Sequence, residues 1–471
     1  MHLDTITDAR ARFGPLLNRN FALLWTGGTI STVGDFTFDT MLLLWIATTI
    51  ARGQTWAPLA VSGLLVVVAI PTILVGPLAG VFADRWDGRR TMLAMDAIRT
   101  LLIPLLVPLT GAIHLSFISA ALPARTQIAL IYAIVFLSTC CSQFCNPCRI
   151  GVLRDVVKEH DQPHASSMTQ ITMAISMLVG PPIAAPLYFR LGPQAALVAD
   201  AASFAVSFTA LLLMRVPRFV EDQSARNEAD FFAELRAGAR LYRDSRTLKA
   251  VLITGIVIML GAGALNALDV FFVRWNLHTS PTLYGWLAGI QGAGILAGAI
   301  LASAFVERLG VARLLWGSTI LAGFLTIVFA RLTSFVPALA VTFVIGVAVA
   351  GLNVAAQPLL LRATPRHLLG RATALLNPAI TLASVISIAL AGWLVSTVLH
   401  GFRASAGGVF FGPIDTVYTV AGLVIIAAGI YAMVALRESR PHEQEVPSAG
   451  VLEAATIAAQ AEAVGSSTQA L

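Results

Sequence analysis

The chain has 471 residues, 57% of them hydrophobic and only 12% charged, with a mean hydropathy of +0.80 and a net charge of +6. A soluble domain carries about 25% charged residues, so a chain soluble throughout is excluded and lipid must cover much of this one. The basic excess is accounted for by where the arginines sit, so nucleic acid is not an expected partner.

A membrane span needs about 20 apolar residues. Residues 1–20 carry Arg10, Arg12 and Arg19 and read as a short cytosolic segment. The apolar run after them is too long for a cleaved leader and reads as a retained first span. Twelve segments qualify: 21–46, 57–81, 92–113, 126–148, 167–189, 194–214, 248–273, 281–305, 313–331, 335–360, 371–398 and 413–436. Backbone polar groups in lipid must be satisfied within the segment, so each is expected to be a helix. The expected fold is all-α, with two six-helix bundles at 21–214 and 248–436. Between them lies a cytosolic connection, 215–247, whose Phe231, Leu235 and Tyr242 recur among arginines as in an amphipathic surface helix. The tail, 437–471, is rich in Ala, Glu, Gln and Ser without a sustained apolar face and is expected to be disordered or weakly helical.

Charge sets the expected orientation. With the N-terminus inside, the inner segments hold 24 basic residues and the outer ones six, while Arg99 lies within span three near the loop. That asymmetry places both termini in the cytosol. Cys140, Cys141, Cys145 and Cys148 lie within nine residues and read as free thiols. Three share a helical face, but no His accompanies them, and no metal is expected. Neither a phosphate-binding loop nor a catalytic grouping stands out, so no cofactor or enzymatic activity is expected.

The most informative segment is Gly80-Val81-Phe82-Ala83-Asp84-Arg85-Trp86-Asp87-Gly88-Arg89-Arg90. An apolar run ends there in opposite charges, and the next begins at Thr91. The segment resembles the signature loop of the major facilitator superfamily, with one extra residue, Asp87. Its form is similar to the twelve-span drug-efflux branch that includes macrolide and enterobactin exporters. The resemblance implies two pseudo-symmetric six-helix halves that rock about a central cavity. It also implies that Asp84 approaches a helix N-terminus in the other half, while Arg85, Arg89 and Arg90 hold acids such as Asp96 or Asp155. On that reading Asp84→Asn impairs transport without impairing insertion; the plainer reading is an ordinary basic inner loop.

The halves repeat weakly. Glu307-Arg308-Leu309-Gly310 echoes Asp84-Arg85, and Gln357-Pro358 echoes Asn146-Pro147, as expected of parallel repeats. Gly180-Pro181 in span five resembles the Gly-Pro motif of antiporters, or is only a packing kink. Asp200-Ala201-Ala202-Ser203-Phe204 resembles the same branch and reads as structural, with Asp200 near an outer end as a cap or pairing residue. Gly285, Gly289, Gly294 and Gly298 read as close packing at the moving interface.

Asp35 and Asp39 are the leading candidates for proton coupling. An intramembrane carboxylate is costly unless neutralised or paired, and four residues' spacing puts both on one helix face. Two such groups in a poorly hydrated cleft resist double ionisation, which suits a proton carrier. The plainer reading gives Asp35 a fixed hydrogen bond and Asp39 outside water. Asp269, with Asn266, is the expected counterpart in span seven. Gln143, Asn146, Asn353 and Gln357 are candidate polar contacts in the cavity. Phe36 and Phe38, with Trp45, Phe271 and Phe272, are candidate apolar ones.

The expected function is proton-driven export of hydrophobic or amphipathic small molecules by one chain acting as a monomer in a bacterial inner membrane. Two alternatives stay open: uptake of a polar metabolite, which would want a mid-span Arg or Lys, and a non-transporting membrane scaffold or sensor.

Overall fold

The computed structural model describes residues 18–83, 86–111, 122–215, 240–243, 245–364, 369–402, 404–406 and 409–437. Asp84, Arg85, most of the 215–247 connection and the tail after Arg437 lie outside the described residues.

Among the described residues twelve helices are long and apolar enough to cross a membrane: Arg19–Ile50, Ala57–Leu74, Gly88–Thr110, Ala124–Val156, His164–Leu191, Pro193–Leu213, Arg246–Trp275, Pro281–Ala302, Val311–Phe329, Phe335–Ala363, Leu375–Val398 and Pro413–Leu436. They are numbered here as spans one to twelve. Each covers one of the twelve apolar segments. Local chemistry sets several starts. The Asn18 side chain accepts from the Asn20 amide before span one, Asp87 from Arg90 before span three, and Ser245 from Leu248 before span seven. Each satisfies a donor that the first helical turn leaves free.

Two boundaries depart most from the sequence reading. Span two breaks at Val75, one turn after Pro71, and resumes as Gly76–Ala83. Pro77, two residues past Val75, has no N–H to donate to the Ile73 carbonyl, which weakens the ladder at that point. Span four runs on to Val156, eight residues past the expected end, through Pro147. Arg149 and Arg154 therefore stand on the helix rather than in a loop. The reversals between spans five and six and between eight and nine turn on Gly192 and Gly310, both at φ 81°. Only glycine adopts that conformation without steric cost. A short antiparallel hairpin, Ala404–Ala406 with Val409–Phe411, connects spans eleven and twelve.

Lipid exposure is written on the surface. Leu101, Ile300 and Val336 are each about three-quarters exposed, which water would penalise and hydrocarbon does not. Inside, packing is unequal between the two ends of the molecule. At the end carrying the 51–56 and 276–280 turns, one core draws on both halves, joining Trp45, Leu64, Ile131 and Phe204 to Phe272, Tyr284, Ile388 and Tyr418. The Leu59 amide donates to Ser396 Oγ there across the halves, at 3.1 Å. At the opposite end each half keeps its own core: Phe21, Met92, Val152 and Leu211 in the first, Ala250, Leu315, Ala355 and Leu436 in the second. Among the described residues the halves meet at one end and keep separate cores at the other, which leaves a cleft between them.

Glycine makes the closed end possible. Gly289 and Gly292 of span eight face Pro182 and Leu178 of span five, and Gly285 lies against the Pro181 carbonyl. Gly294 and Gly298 instead face Phe343 and Val347 of span ten. The expected small-residue interface thus divides, with one pair of glycines between the halves and the other inside the second half.

Candidate functional site

A cluster of charges lies inside the first half. Span one brings Asp35 and, one turn on, Asp39. Span three brings Asp96 and Arg99, and span six brings Asp200 with Ser203, Phe204 and Ser207. Spans one and six approach closely because span one carries glycine where they cross. A methyl on Gly27 would lie 2.9 Å from Ala210 Cβ, and one on Gly34 would lie 2.9 Å from Ser203 Cβ and 3.0 Å from Asp200 Oδ1.

Arg99 is the hub. Its Nη2 lies 2.5 Å from Asp35 Oδ1, its Nε donates to Ser138 Oγ at 3.3 Å, and its guanidinium carbon sits 3.7 Å from the Phe204 ring centre. A lone guanidinium in the membrane costs about 3 kcal/mol or more. The carboxylate, the hydroxyl and the aromatic face offset that cost. The side chain of Arg99 is 9% exposed and that of Asp35 is 37% exposed, so the pair is buried at the guanidinium and partly open at the carboxylate. Asp39 is also solvent-accessible. Asp200 is 2% exposed, and neither of its carboxylate oxygens has a hydrogen-bond partner among the described residues.

Sequence reading placed Arg99 near the loop and Asp200 near an outer end. The structure places Arg99 on the last turn of the α-helix Gly88–Leu102, within span three, and Asp200 eight residues into span six, beside Gly34. A single basic residue within an apolar span was itself a signal for a buried acidic partner. Pairing across helices, however, is not written in sequence spacing.

The second half is built differently. Asp269 accepts a hydrogen bond from Tyr418 Oη at 2.5 Å, and the same hydroxyl lies 3.2 Å from the Leu265 carbonyl. Tyr418 stacks in an aromatic group with Phe272 and Phe329. The counterpart of the first-half ion pair is therefore a carboxyl held by a phenol, and Tyr418 was not singled out by sequence.

The candidate contact residues divide. Asn146, Asn266, Asn353 and Gln357 are exposed within their spans, while Gln143 is partly buried and lies near Gly76, where span two breaks. Phe38, Trp45, Phe271 and Phe272 do not border the cleft, because they are buried in the core that joins the halves. Phe36 packs its Cβ against Gly180 of span five, where a methyl would come within 2.6 Å. Gly180 thus serves close approach of spans one and five, and Pro181 close approach of spans five and eight. All four cysteines are free thiols; Cys145 and Cys148 are buried.

The charged loop is tied down within its own half. Asp87 caps span three and lies 3.5 Å from Arg90 Nε. Arg89 donates from Nε to the Leu211 carbonyl at 2.8 Å and from Nη2 to the Leu212 carbonyl at 3.0 Å. A cation there complements the C-terminal end of span six. The expected acids are thus replaced, for Arg89 by helix carbonyls and for Arg90 by Asp87. Asp96 is 4% exposed, with Ser207 as a hydrogen-bonding neighbour, and Asp155 is exposed on span four. Gly88, the first residue of span three, packs against span four, where a methyl would lie 3.2 Å from the Cys148 carbonyl oxygen. Gly80 lies in the short helix before the loop, and Asp84 and Arg85 fall outside the described residues.

A family model described as a transmembrane secretion effector matches residues 10–454. An uncharacterized MFS-type transporter of Bacillus subtilis, YkuC, is 22% identical over 91% of this chain and 95% of its own length. Macrolide efflux protein A of Streptococcus pyogenes is 21% identical over 59% of this chain and 66% of its own. Among solved structures, a bacterial homologue of the iron transporter ferroportin in an inward-facing state superposes with TM-score 0.66 at 14% identity, covering 90% of this chain and all of that one.

Proposed function

This chain belongs to the transmembrane secretion effector family of the major facilitator superfamily, and on that premise we propose that it exports hydrophobic or amphipathic small molecules in exchange for protons. The fold is that of a twelve-helix, multi-pass secondary transporter. The observation that carries the proposal is the cluster around Arg99: an ion pair within the first half, buried at Arg99 and partly exposed at Asp35, with a second carboxyl, Asp39, exposed one turn away. Charge buried in a membrane helix is costly and is kept for a task.

In the proposed mechanism the parted end faces the cytosol, as the arginine distribution suggests, and the structure is inward-open. Substrate enters between the halves, where Asn146, Asn266, Asn353 and Gln357 supply polar contacts. A mid-membrane amide facing hydrocarbon would be unsatisfied, so these side chains are assigned to the cleft. Substrate and proton compete for the Asp35 and Asp39 carboxylates. Closure of the inner end then brings the 80–90 loop, with Asp84 and Arg85, against the second half and latches the outward-open state. Macrolide efflux protein A among the relatives supports a drug-like substrate, and the bacterial relatives support a bacterial cell membrane.

One observation bears on uptake of a polar metabolite, since that reading needs a mid-span cation and Arg99 is one. Arg99 is sealed behind Asp35 and Phe204, however, and offers no free guanidinium to an anion in the cleft. The test is accumulation of erythromycin and of a fluorescent lipophilic cation in cells expressing wild type, Asp35→Asn or Asp39→Asn, with and without a protonophore. Lower accumulation with wild type, abolished by the protonophore and by either substitution, supports the proposal. Unchanged accumulation of both probes on expression contradicts it.

A further inference from the structure

We propose that Asp200 is a resident proton site of the first half and forms, with Arg99 and Asp35, a triad that holds one proton and no net charge. The inference deepens the coupling proposed above and rests on that reading.

The placement of Asp200 differs from that of Asp35 and Asp39, and from that of buried Asp96, which has Ser207 as a hydrogen-bonding neighbour and one unpartnered oxygen rather than two. Asp35 has a cation at 2.5 Å and a partly exposed side chain, and Asp39 is exposed. Asp200 has neither. Its carboxylate is walled by Gly34 of span one and by its own helix. Both oxygens are buried without an N–H or O–H aimed at them among the described residues, and the nearby Ser203 hydroxyl is spent on the Asp200 backbone carbonyl at 2.7 Å. An ionised carboxylate so placed would forfeit its hydration with nothing in return, a cost of several kcal/mol. The protonated acid avoids it. A metal cation would need several ligands, and among the described residues no group of three or more His, Cys, Asp or Glu side chains could hold one.

The surroundings also define a route. Gly34, whose missing side chain leaves room for the Asp200 oxygens, precedes Asp35 in the chain. Asp35, Asp39 and Arg99 all lie within electrostatic reach of Asp200. From span one the groups facing it are Asp35 and Asp39, and from span three Arg99, with Asp96 a turn below. Span five, also packed on span six, carries its titratable residues His164, Tyr188 and Arg190 only near its ends. With Arg99 positive, Asp35 negative and Asp200 protonated, the triad is neutral, as a buried site requires. Transfer preserves the balance. The Asp200 O–H bond breaks, the proton passes to an Asp35 oxygen, and Arg99 turns to the Asp200 carboxylate so formed. Asp35 then releases the proton into the cleft. Departure of the proton leaves the triad with one negative charge, which a cationic amphipath in the cleft would balance. The substrate class favoured by this site is therefore an amine-bearing apolar molecule.

The test needs no transport. Infrared spectra of the purified protein in lipid vesicles at neutral pH read the carbonyl stretch of protonated carboxylic acids. The expected result is a band in wild type that exchanges slowly in heavy water, is absent in Asp200→Asn and is shifted in Asp200→Glu. Asparagine matches the protonated acid in size and neutrality, so that variant is expected to fold; if it does not, the Asp200→Glu shift decides alone. A band unchanged in Asp200→Asn, one lost instead in Asp39→Asn or Asp269→Asn, or no band in wild type overturns the proposal. Should the efflux assay fail while the band behaves as expected, the proton site stands and the substrate reading falls.

Discussion

Replacing Gly285 with alanine should open the closed end of the molecule. The added methyl would lie 2.8 Å from the Pro181 carbonyl carbon and 3.1 Å from Pro182 Cα. These are backbone atoms of a proline-rich helix turn, which cannot swing aside as a side-chain tip can. Overpacking of this kind costs about 1–3 kcal/mol. The contact joins span eight to span five, one from each half, so the halves relieve it by separating there. That cost corresponds to a shift of roughly 5- to 150-fold in favour of the state in which the contact is broken. The assay is a pulsed electron spin distance measurement between labels at Gln54→Cys and Ser280→Cys, in a background lacking the four native cysteines. Gly285→Ala should move the distribution to longer distances. Gly298→Ala, whose methyl would press on Val347 and Ala350 within the same half, should leave it in place. An unchanged distribution in folded Gly285→Ala, or equal opening by both variants, would refute the gating role of this contact.

Other consequences follow from the same geometry. Arg99→Leu leaves Asp35 without its cation, and breaking a buried pair costs about 3–5 kcal/mol, less here because Asp35 is partly wet. The Arg99→Leu/Asp35→Asn double variant should recover most of the lost thermal stability in detergent, and a double variant no more stable than the single one would contradict the pairing. Arg89→Ala removes the guanidinium donors from the Leu211 and Leu212 carbonyls at the end of span six, with Leu211 keeping the Met214 amide, and should cost about 1 kcal/mol. That loss is read as a lower Tm, and an unchanged Tm would show the contact to be energetically idle.

How much of this was legible in the sequence depends on the range of the cause. The twelve spans were, because hydrocarbon imposes the same local demand on every one: a long apolar run with its backbone bonded internally. The ends were less so. Span four continues through Pro147 to Val156 because a membrane helix can project into water, and apolar counting stops where charge begins. Asp35 and Asp39 stood out as acids in an apolar run, but their different surroundings did not. Arg99 lies 64 residues from Asp35 in sequence, and no periodicity links positions on separate helices. Asp200 read as a cap because helix starts are uncertain by a turn, and one turn separates a wet outer end from a dry interior. Phe36 and Phe38 looked like pocket residues because aromatic character is local, whereas the face each side chain takes is set by Gly180 and by the core joining the halves.

The most direct test of the account is proton movement driven by substrate in reconstituted vesicles carrying a trapped pH-sensitive dye. Addition of erythromycin to vesicles holding wild type should drive protons in the direction opposite to the drug, with no response in vesicles holding Asp35→Asn. Drug uptake without proton movement, or an equal proton flux in the Asp35→Asn variant, would contradict the claim that the charge cluster of the first half couples protons to export.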